Sequence, residues 1–383
     1  MSILGKLNLA ETLMRNGWVS HSINVLNELD VTQLSELEIE RRLSIFKLSD
    51  TASANLSTTD YPISIFGDRI LSSLHFRELP DRELKKQAFK QGVDYIDIET
   101  SSQCNRKCHY CTNSTLDRIS DNKFLDVAVL ENILRELAEI DYDKELHFVG
   151  YNEPLMHRES IVNVVRIASK ILPNAKIVIF TNGDYLDYDY LNELIDAGVD
   201  RLNISVHLAP GAAYNSEEII DRIFKLSTKL RVTPVLKQFV KKREIYFSLL
   251  GSAIELEIFQ RDYSNVGHDR GGLLDVQIKK TRTAACTSPL KQFIVGYTGT
   301  ILPCCALVGD DPRHNTCIVG DAFKESIFDI YAGKKYIEWR KGLANLKPKE
   351  GACKYCNAEC DTPDNTDPNR YQIIDFALSK MGA

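Results

Sequence analysis

No run of about 18 apolar residues occurs in the 383-residue chain, so no membrane-spanning helix is expected. No low-complexity tract is present either, which sets the chain apart from disordered and fibrous proteins. Positive charge is not in excess. The 47 Lys and Arg stand against 53 Asp and Glu, a formal net charge of −6. That balance argues against nonspecific nucleic-acid binding, which depends on neutralising phosphates. The opening residues lack the charged-then-apolar pattern of a secretory signal, so a cytoplasmic location is expected. Cysteine is absent from the first 103 residues, and the first ninety show no Gly-rich phosphate loop or metal-ligand cluster.

What is there is an ordinary globular composition, 44% hydrophobic and 26% charged, with room for two or three domains. The ten cysteines are clustered: three fall within eight positions, and seven lie between Cys286 and Cys360. In a reducing compartment, such clusters are more often metal ligands or catalytic groups than disulfides.

Residues 1–90 read as a mostly helical accessory region, with helix formers over 7–26 and 34–46 and a short strand over 61–66. From Val93 onward, short apolar runs alternate with amphipathic helices. Strands are predicted over 93–98, 146–149, 177–180, 201–206, 232–236 and 256–259. Helices are predicted over 126–140, 160–171, 190–197 and 216–230. The alternation implies an α/β fold, a parallel sheet with helices packed outside it through right-handed crossovers. Six repeats are too few for a closed eightfold barrel, so residues 91–265 are expected to form a partial (β/α)6 TIM-like barrel. Residues 266–383 are expected to form a small Cys-rich α+β domain, with a strand near 292–297, a helix over 326–346 and a metal holding it together.

The segment Glu99-Thr-Ser-Ser-Gln-Cys104-Asn-Arg-Lys-Cys108-His-Tyr-Cys111 follows the first predicted barrel strand. Three thiolates spaced C-x3-C-x2-C suit three irons of a 4Fe–4S cube, and the missing fourth ligand leaves one iron open. Zinc would want a fourth ligand, and His109 is adjacent but poorly placed to supply it. Spacing and position resemble the radical S-adenosylmethionine (SAM) superfamily. The resemblance implies that the open iron chelates SAM, which is cleaved to methionine and a 5′-deoxyadenosyl radical. It also implies a reductant such as flavodoxin or ferredoxin. Tyr110 resembles the family's aromatic residue that packs near the adenine.

Three further stretches resemble the family in the expected order. Gly150-Tyr151-Asn152-Glu153-Pro154 is similar to its Gly-Gly-Glu-Pro motif, whose acidic residue holds the SAM amino group. Glu153 and Gly150 are carried over; Tyr151 and Asn152 stand where the family has glycines, which leaves Tyr151 without an assigned role. Thr181-Asn182-Gly183 matches a tripeptide of the third strand, although a turn alone would explain it. On the fourth strand, Ser205 and Asn203 resemble the polar residues that reach the SAM ribose and carboxylate. His207 shares their strand face, and a hydrogen-bonded core histidine explains it better than a catalytic one.

Near the C-terminus the pattern C-x12-G-x4-C runs from Cys286 to Cys304, followed by Cys353 and Cys356 as C-x2-C. It resembles the SPASM extension or its shorter twitch relative. The economical expectation is one auxiliary 4Fe–4S cluster on Cys286, Cys304, Cys353 and Cys356; a four-thiolate zinc ribbon is the alternative. Cys305, Cys317 and Cys360 are left over and are candidate hydrogen donors, or packed thiols.

A fully ligated auxiliary cluster implies electron transfer, hence net two-electron oxidation. The expected activity is dehydrogenation or epimerisation of a small polar molecule such as a sugar or aminocyclitol. The alternatives are cross-linking or epimerisation of a ribosomally made peptide, and a non-catalytic iron–sulfur or zinc scaffold.

Overall fold

The computed structural model describes residues 73–357 except 119–121, 210, 241–242, 264–266, 276–279 and 345–346, together with five positions between residues 3 and 11. Most of the two predicted N-terminal helices, the strand over 61–66 and Cys360 lie outside these residues.

A ten-stranded sheet, in the order β10-β9-β8-β1-β2-β3-β4-β7-β6-β5, forms the frame. Its first four strands are β1 (Tyr95–Ile98), β2 (Glu145–Phe148), β3 (Lys176–Thr181) and β4 (Arg201–Ser205). They pair in parallel, in chain order. Each alternates between two faces. Ile96, Ile98, Leu146, Phe148, Ile179, Leu202 and Ile204 are fully buried in the main core. They face the helix layer formed by α1 (Arg82–Gly92), α2 (Val127–Ala138), α3 (Arg158–Ile171), α4 (Tyr188–Ala197) and α5 (Ser216–Leu230). Local chemistry starts the helices where the strands release the chain. Asp126 accepts from Ala128 N, Asp187 from Tyr190 N, and Asn215 from Glu217 N and Glu218 N, each satisfying amides left over by the first turn. The opposite strand face carries Tyr95, Asp97, Glu99 and His147, an unusual load for strands of a parallel sheet.

After α5 the chain departs from simple βα alternation. β5 (Thr233–Val240), β6 (Glu244–Leu250) and β7 (Glu255–Arg261) form an antiparallel meander, and β7 returns to pair in parallel with β4. β5 is the sheet edge and is exposed along its length, which suits its Pro234 and Lys237. β6 was not expected from the sequence.

The sixth parallel strand comes from further along the chain. β8 (Gln292–Val295), after the short α6 (Ser288–Lys291), pairs in parallel with β1, and β9 (Thr300–Leu302) and β10 (Gly320–Asp321) extend the sheet antiparallel. The open barrel of six parallel strands is therefore as expected, but its sixth strand lies beyond residue 265 and the sheet runs through that point without a break. The predicted helix over 326–346 is two helices, α7 (Ile327–Tyr331) and α8 (Lys334–Ala344). Phe89 of α1 packs on Phe293, Phe328 and Tyr331 with ring centroids 5.2–5.5 Å apart, so the segment before the barrel and the helices after it close the same edge. Among the described residues no helix is long and apolar enough to cross a membrane.

Candidate functional site

Cys104, Cys108 and Cys111 lie on the loop that leaves β1, at the C-terminal end of the parallel strands. The loop is tied to the tip of β3. Arg106 forms a bidentate ion pair with Asp184, at 2.6 and 2.7 Å, and Asn105 donates to the same carboxylate at 2.6 Å. Asn182 donates to Asn105 Oδ1 at 2.8 Å. Thr181-Asn182-Gly183 is thus both a turn, with Gly183 at φ +75°, and the anchor of the cysteine loop. Asp184 and Arg106 escaped sequence reasoning because opposite charges 78 residues apart carry no local sign of pairing.

Burial pushes the Cys104 thiol up to about 12, with the nearby Glu153, Cys111 and Cys108 adding to it, and raises Cys108 as well. Thiols this costly to ionise alone are suited to a cationic partner that keeps them as thiolates. The donor set therefore fits an iron–sulfur cluster.

Glu153, predicted to meet the SAM amino group, is turned toward the chain's own donors. Only 2% exposed, it accepts from Leu155 N at 3.0 Å, Thr181 Oγ1 at 2.5 Å and Asn182 N at 2.7 Å. Burial pushes its pKa up to about 7, against those three donors. It joins the end of β2 to the end of β3, and a buried carboxylate must be satisfied in some such way. Glu153→Gln is expected to cost about 1–3 kcal/mol, because one amide end must face a donor. A thermal melt of the variant measures this, and an unchanged midpoint would contradict it.

Gly150 is required for a different reason than its motif suggests. A Cβ there would lie 2.6–2.8 Å from the side chain of Glu99. Glu99 itself accepts from Tyr151 N at 2.8 Å and from both Nη atoms of Arg118 at 2.8 and 2.9 Å. Arg118 Nε reaches Asp310 at 3.1 Å. The alternating polar positions of Tyr95-Ile-Asp97-Ile-Glu99 were the available sequence signal for this inward-facing network.

Tyr110 stacks on Tyr263 at 4.1 Å, and its hydroxyl lies 2.7 Å from His207 Nδ1. Burial pushes His207 down to about 4, so it is the neutral, hydrogen-bonded histidine. Tyr110 and Tyr263 border a cleft of about 30 Å³ that also meets Tyr214 and Gln260. The Tyr214 hydroxyl and Gln260 Oε1 are buried there and find no hydrogen-bond partner among the described residues. Asn203 and Ser205 share the inner face of β4, between the fully buried Leu202 and Ile204 that point to the helices.

In the second cysteine set, Cys353 is half-buried beside Cys356, Cys286 and Cys317, and desolvation pushes its thiol up to about 12. Cys304 lies beside Cys305 and Cys286 and is raised chiefly by its Cys305 neighbour. Arg282 braces the set, donating to the Ala284 and Ala285 carbonyls and contacting Cys356 Sγ at 3.8 Å. The three leftover cysteines separate. Cys317 is packed with Ile294, Leu302 and Leu307, where Cys behaves as a small apolar residue, and is not part of the wall of the cavity described next. Cys305 faces that cavity, and Cys360 lies outside the described residues.

A cavity of about 530 Å³ lies on the inner face of the sheet. Its wall includes Cys111 and Cys305, together with Asp97, Glu99, His147 and Tyr151. The Tyr151 hydroxyl donates to the Cys305 carbonyl at 3.0 Å, which ties these two wall residues together and supplies the role its sequence position left open.

Residues 98–226 match the Radical SAM superfamily, and residues 286–360 match SPASM, an iron-sulfur cluster-binding domain. The S-adenosyl-L-methionine-dependent 2-deoxy-scyllo-inosamine dehydrogenase of Niallia circulans is 26% identical over 264 residues, 68% of this chain and 92% of that protein. A GTP 3',8-cyclase of Chlorobaculum tepidum is 32% identical over 41% of this chain, but only 48% of its own length is covered. The crystal structure of BtrN in complex with AdoMet and 2-DOIA superposes with a TM-score of 0.52 at 24% identity, covering 70% of this chain and 94% of that one, and supports the fold.

Proposed function

From the premise that this chain is a radical SAM enzyme with an auxiliary iron–sulfur domain, we propose that it dehydrogenates a secondary alcohol of a small sugar- or aminocyclitol-like metabolite. The observation that carries this reading is a cavity of about 530 Å³ whose wall includes Cys111 and Cys305 together with the polar side chains of Asp97, Glu99, His147 and Tyr151, of a size for one small ring. The similarity to a 2-deoxy-scyllo-inosamine dehydrogenase over most of that protein's length supports it.

Cys104, Cys108 and Cys111 would hold the SAM-binding 4Fe–4S cluster, and Cys286, Cys304, Cys353 and Cys356 one auxiliary cluster. When bound, these groups supply hydrogen-atom abstraction through the 5′-deoxyadenosyl radical and an acceptor for one electron. The chain's own task is to orient the substrate and exclude other hydrogen donors. Tyr110 would face the adenine, with Tyr214 and Gln260 offering their unpartnered atoms; Asn203 and Ser205 would serve the ribose and carboxylate. Gly150 lets Glu99 close the cavity wall beside Tyr151. A flavodoxin or ferredoxin would deliver the reducing electron. In this reading residues 1–90 serve as accessory region, residues 91–265 together with β8 as radical barrel, and the remainder of 266–383 as auxiliary domain.

Anaerobic reconstitution, reduction with dithionite and incubation with SAM and 2-deoxy-scyllo-inosamine as probe tests it. The expected products are 5′-deoxyadenosine and an equal amount of a ketone two mass units lighter than the probe. Full iron loading with no 5′-deoxyadenosine above the substrate-free background would sink the reading. Conversion without mass loss, abolished in Cys305→Ser, would mark an epimerase that uses this thiol as hydrogen donor.

A further inference from the structure

A row of hydrogen-bonded titratable groups crosses the cavity floor and has no part in the chemistry above. Asp97 on β1 and His147 on β2 are direct cross-strand neighbours. Each is 6% exposed, and both line the cavity. Asp97 Oδ1 lies 2.9 Å from His147 Nδ1, and His147 Nε2 lies 2.8 Å from Glu145 Oε2. Glu145 is one strand position pair nearer the N-terminal end of the barrel, and 32% of its side chain is exposed. Arg201 of β4 donates to the same oxygen at 2.8 Å, and Glu255 of β7 and Lys176 of β3 continue the row outward. Tyr95 stacks on the imidazole at 5.0 Å and Phe180 meets it edge-on at 5.1 Å, so the ring is held in one plane.

Stability alone is a weak reason for such a row. Ionic groups taken out of water regain little over a well-packed apolar core. An imidazole bonded at both nitrogens to carboxylates, one facing a cavity and one facing water, is suited to moving protons. Burial opposes charge on His147, but the Asp97 and Glu145 carboxylates hold its pKa above the ordinary value. The hydrogen bond from His147, joined by Arg201, takes Glu145 down to about 2 despite its burial. The geometry sets His147 as donor at both nitrogens, toward Asp97 on the cavity side and Glu145 on the solvent side.

We propose that Asp97 is the proton acceptor for the substrate hydroxyl and that His147 and Glu145 release a compensating proton to solvent. The proposal rests on the dehydrogenation reading. Oxidation of a secondary alcohol to a ketone removes two protons and two electrons. One of each leaves as the C–H hydrogen atom, taken up by the 5′-deoxyadenosyl radical. The remaining electron passes to the oxidised auxiliary cluster as the C=O π bond forms, and the O–H bond breaks with its proton going to the Asp97 carboxylate. With Asp97 neutralised, His147 releases its Nε2 proton through Glu145 to water and keeps the proton on Nδ1. When the ketone leaves, Asp97 loses its proton to water entering the cavity and His147 regains one at Nε2 through Glu145, which restores the starting state with one proton released to solvent.

The test measures 5′-deoxyadenosine and ketone from the reconstituted enzyme with 2-deoxy-scyllo-inosamine, in H2O and D2O, for the wild type, Asp97→Asn and His147→Gln. Ketone formation in Asp97→Asn should fall about 100-fold, and 5′-deoxyadenosine per ketone should rise about tenfold or more. His147→Gln should fall less and lose the solvent isotope effect on ketone formation. If Asp97→Asn fails to fold, Glu145→Gln at the exposed end gives the same reading. Variants that keep the wild-type product ratio and isotope effect would overturn the relay. So would 5′-deoxyadenosine and ketone falling in step, which marks a packing or binding role. A wild type that makes no 5′-deoxyadenosine with the probe instead removes the dehydrogenation reading, and the relay with it.

Discussion

Replacing Cys104, Cys108 and Cys111 together by Ala is expected to abolish 5′-deoxyadenosine formation and to lower bound iron from about eight atoms per chain to about four. The three thiols sit on one loop, and burial already raises Cys104 to about 12. A bound cluster would hold Cys104 as its thiolate against that burial, and no other described thiol on that loop could replace the three. The second cysteine set is held by its own brace, Arg282, and by backbone bonds such as Cys286 N to the Leu343 carbonyl, so it should keep its iron. Iron analysis with electron paramagnetic resonance of the reduced protein measures the count, and chromatography measures the nucleoside. About eight irons remaining after the triple change would mean two auxiliary clusters. Residual 5′-deoxyadenosine would mean that SAM cleavage occurs elsewhere.

The second large effect is on stability. Arg118→Met should destabilise the protein by about 3–5 kcal/mol, because it strands the Glu99 carboxylate in the wall between sheet and cavity. Arg118 is nearly fully buried and binds Glu99 through two parallel hydrogen bonds while also reaching Asp310. Its guanidinium lies 5.1 Å from the Tyr297 ring and 5.8 Å from that of Tyr151. One side chain therefore joins the end of β1, the turn at Gly150 and the loop at residue 310. Removing both charges should cost less than removing one, so the Arg118→Met, Glu99→Leu double variant should melt above Arg118→Met alone. Thermal melts of the reconstituted proteins decide this. A single variant within about 1 kcal/mol of wild type would show that water entering the cavity satisfies Glu99.

Much of the site was legible because it is local. Three cysteines within eight positions need only one loop to meet a cluster, and the apolar period of residues 126–140 already marks the face that α2 buries. The β5–β6 hairpin was harder. β5 is an exposed edge without a buried face, so its apolar residues resemble those of an interior strand. Glu153 shows the same boundary at the scale of one side chain. Its place after β2 was readable, but its partners sit at the tip of β3, 28 and 29 residues away.

The sequence by itself determined the chemistry that short spacing dictates: the radical cluster loop, the second cysteine set, the α/β alternation and the strand ends that carry polar residues. Only the tertiary structure decided which leftover thiol faces the cavity, Cys305 rather than Cys317, and that β8 from beyond residue 265 completes the parallel sheet. It alone set Asp97 against His147 and Arg118 against Asp310. The physical reason is that ligand spacing and helix periodicity act over a few residues, whereas strand register joins positions 50 to 200 apart, such as Asp97 with His147 and Tyr95 with Gln292. Those pairings are selected by the burial of the whole sheet, which no single segment specifies.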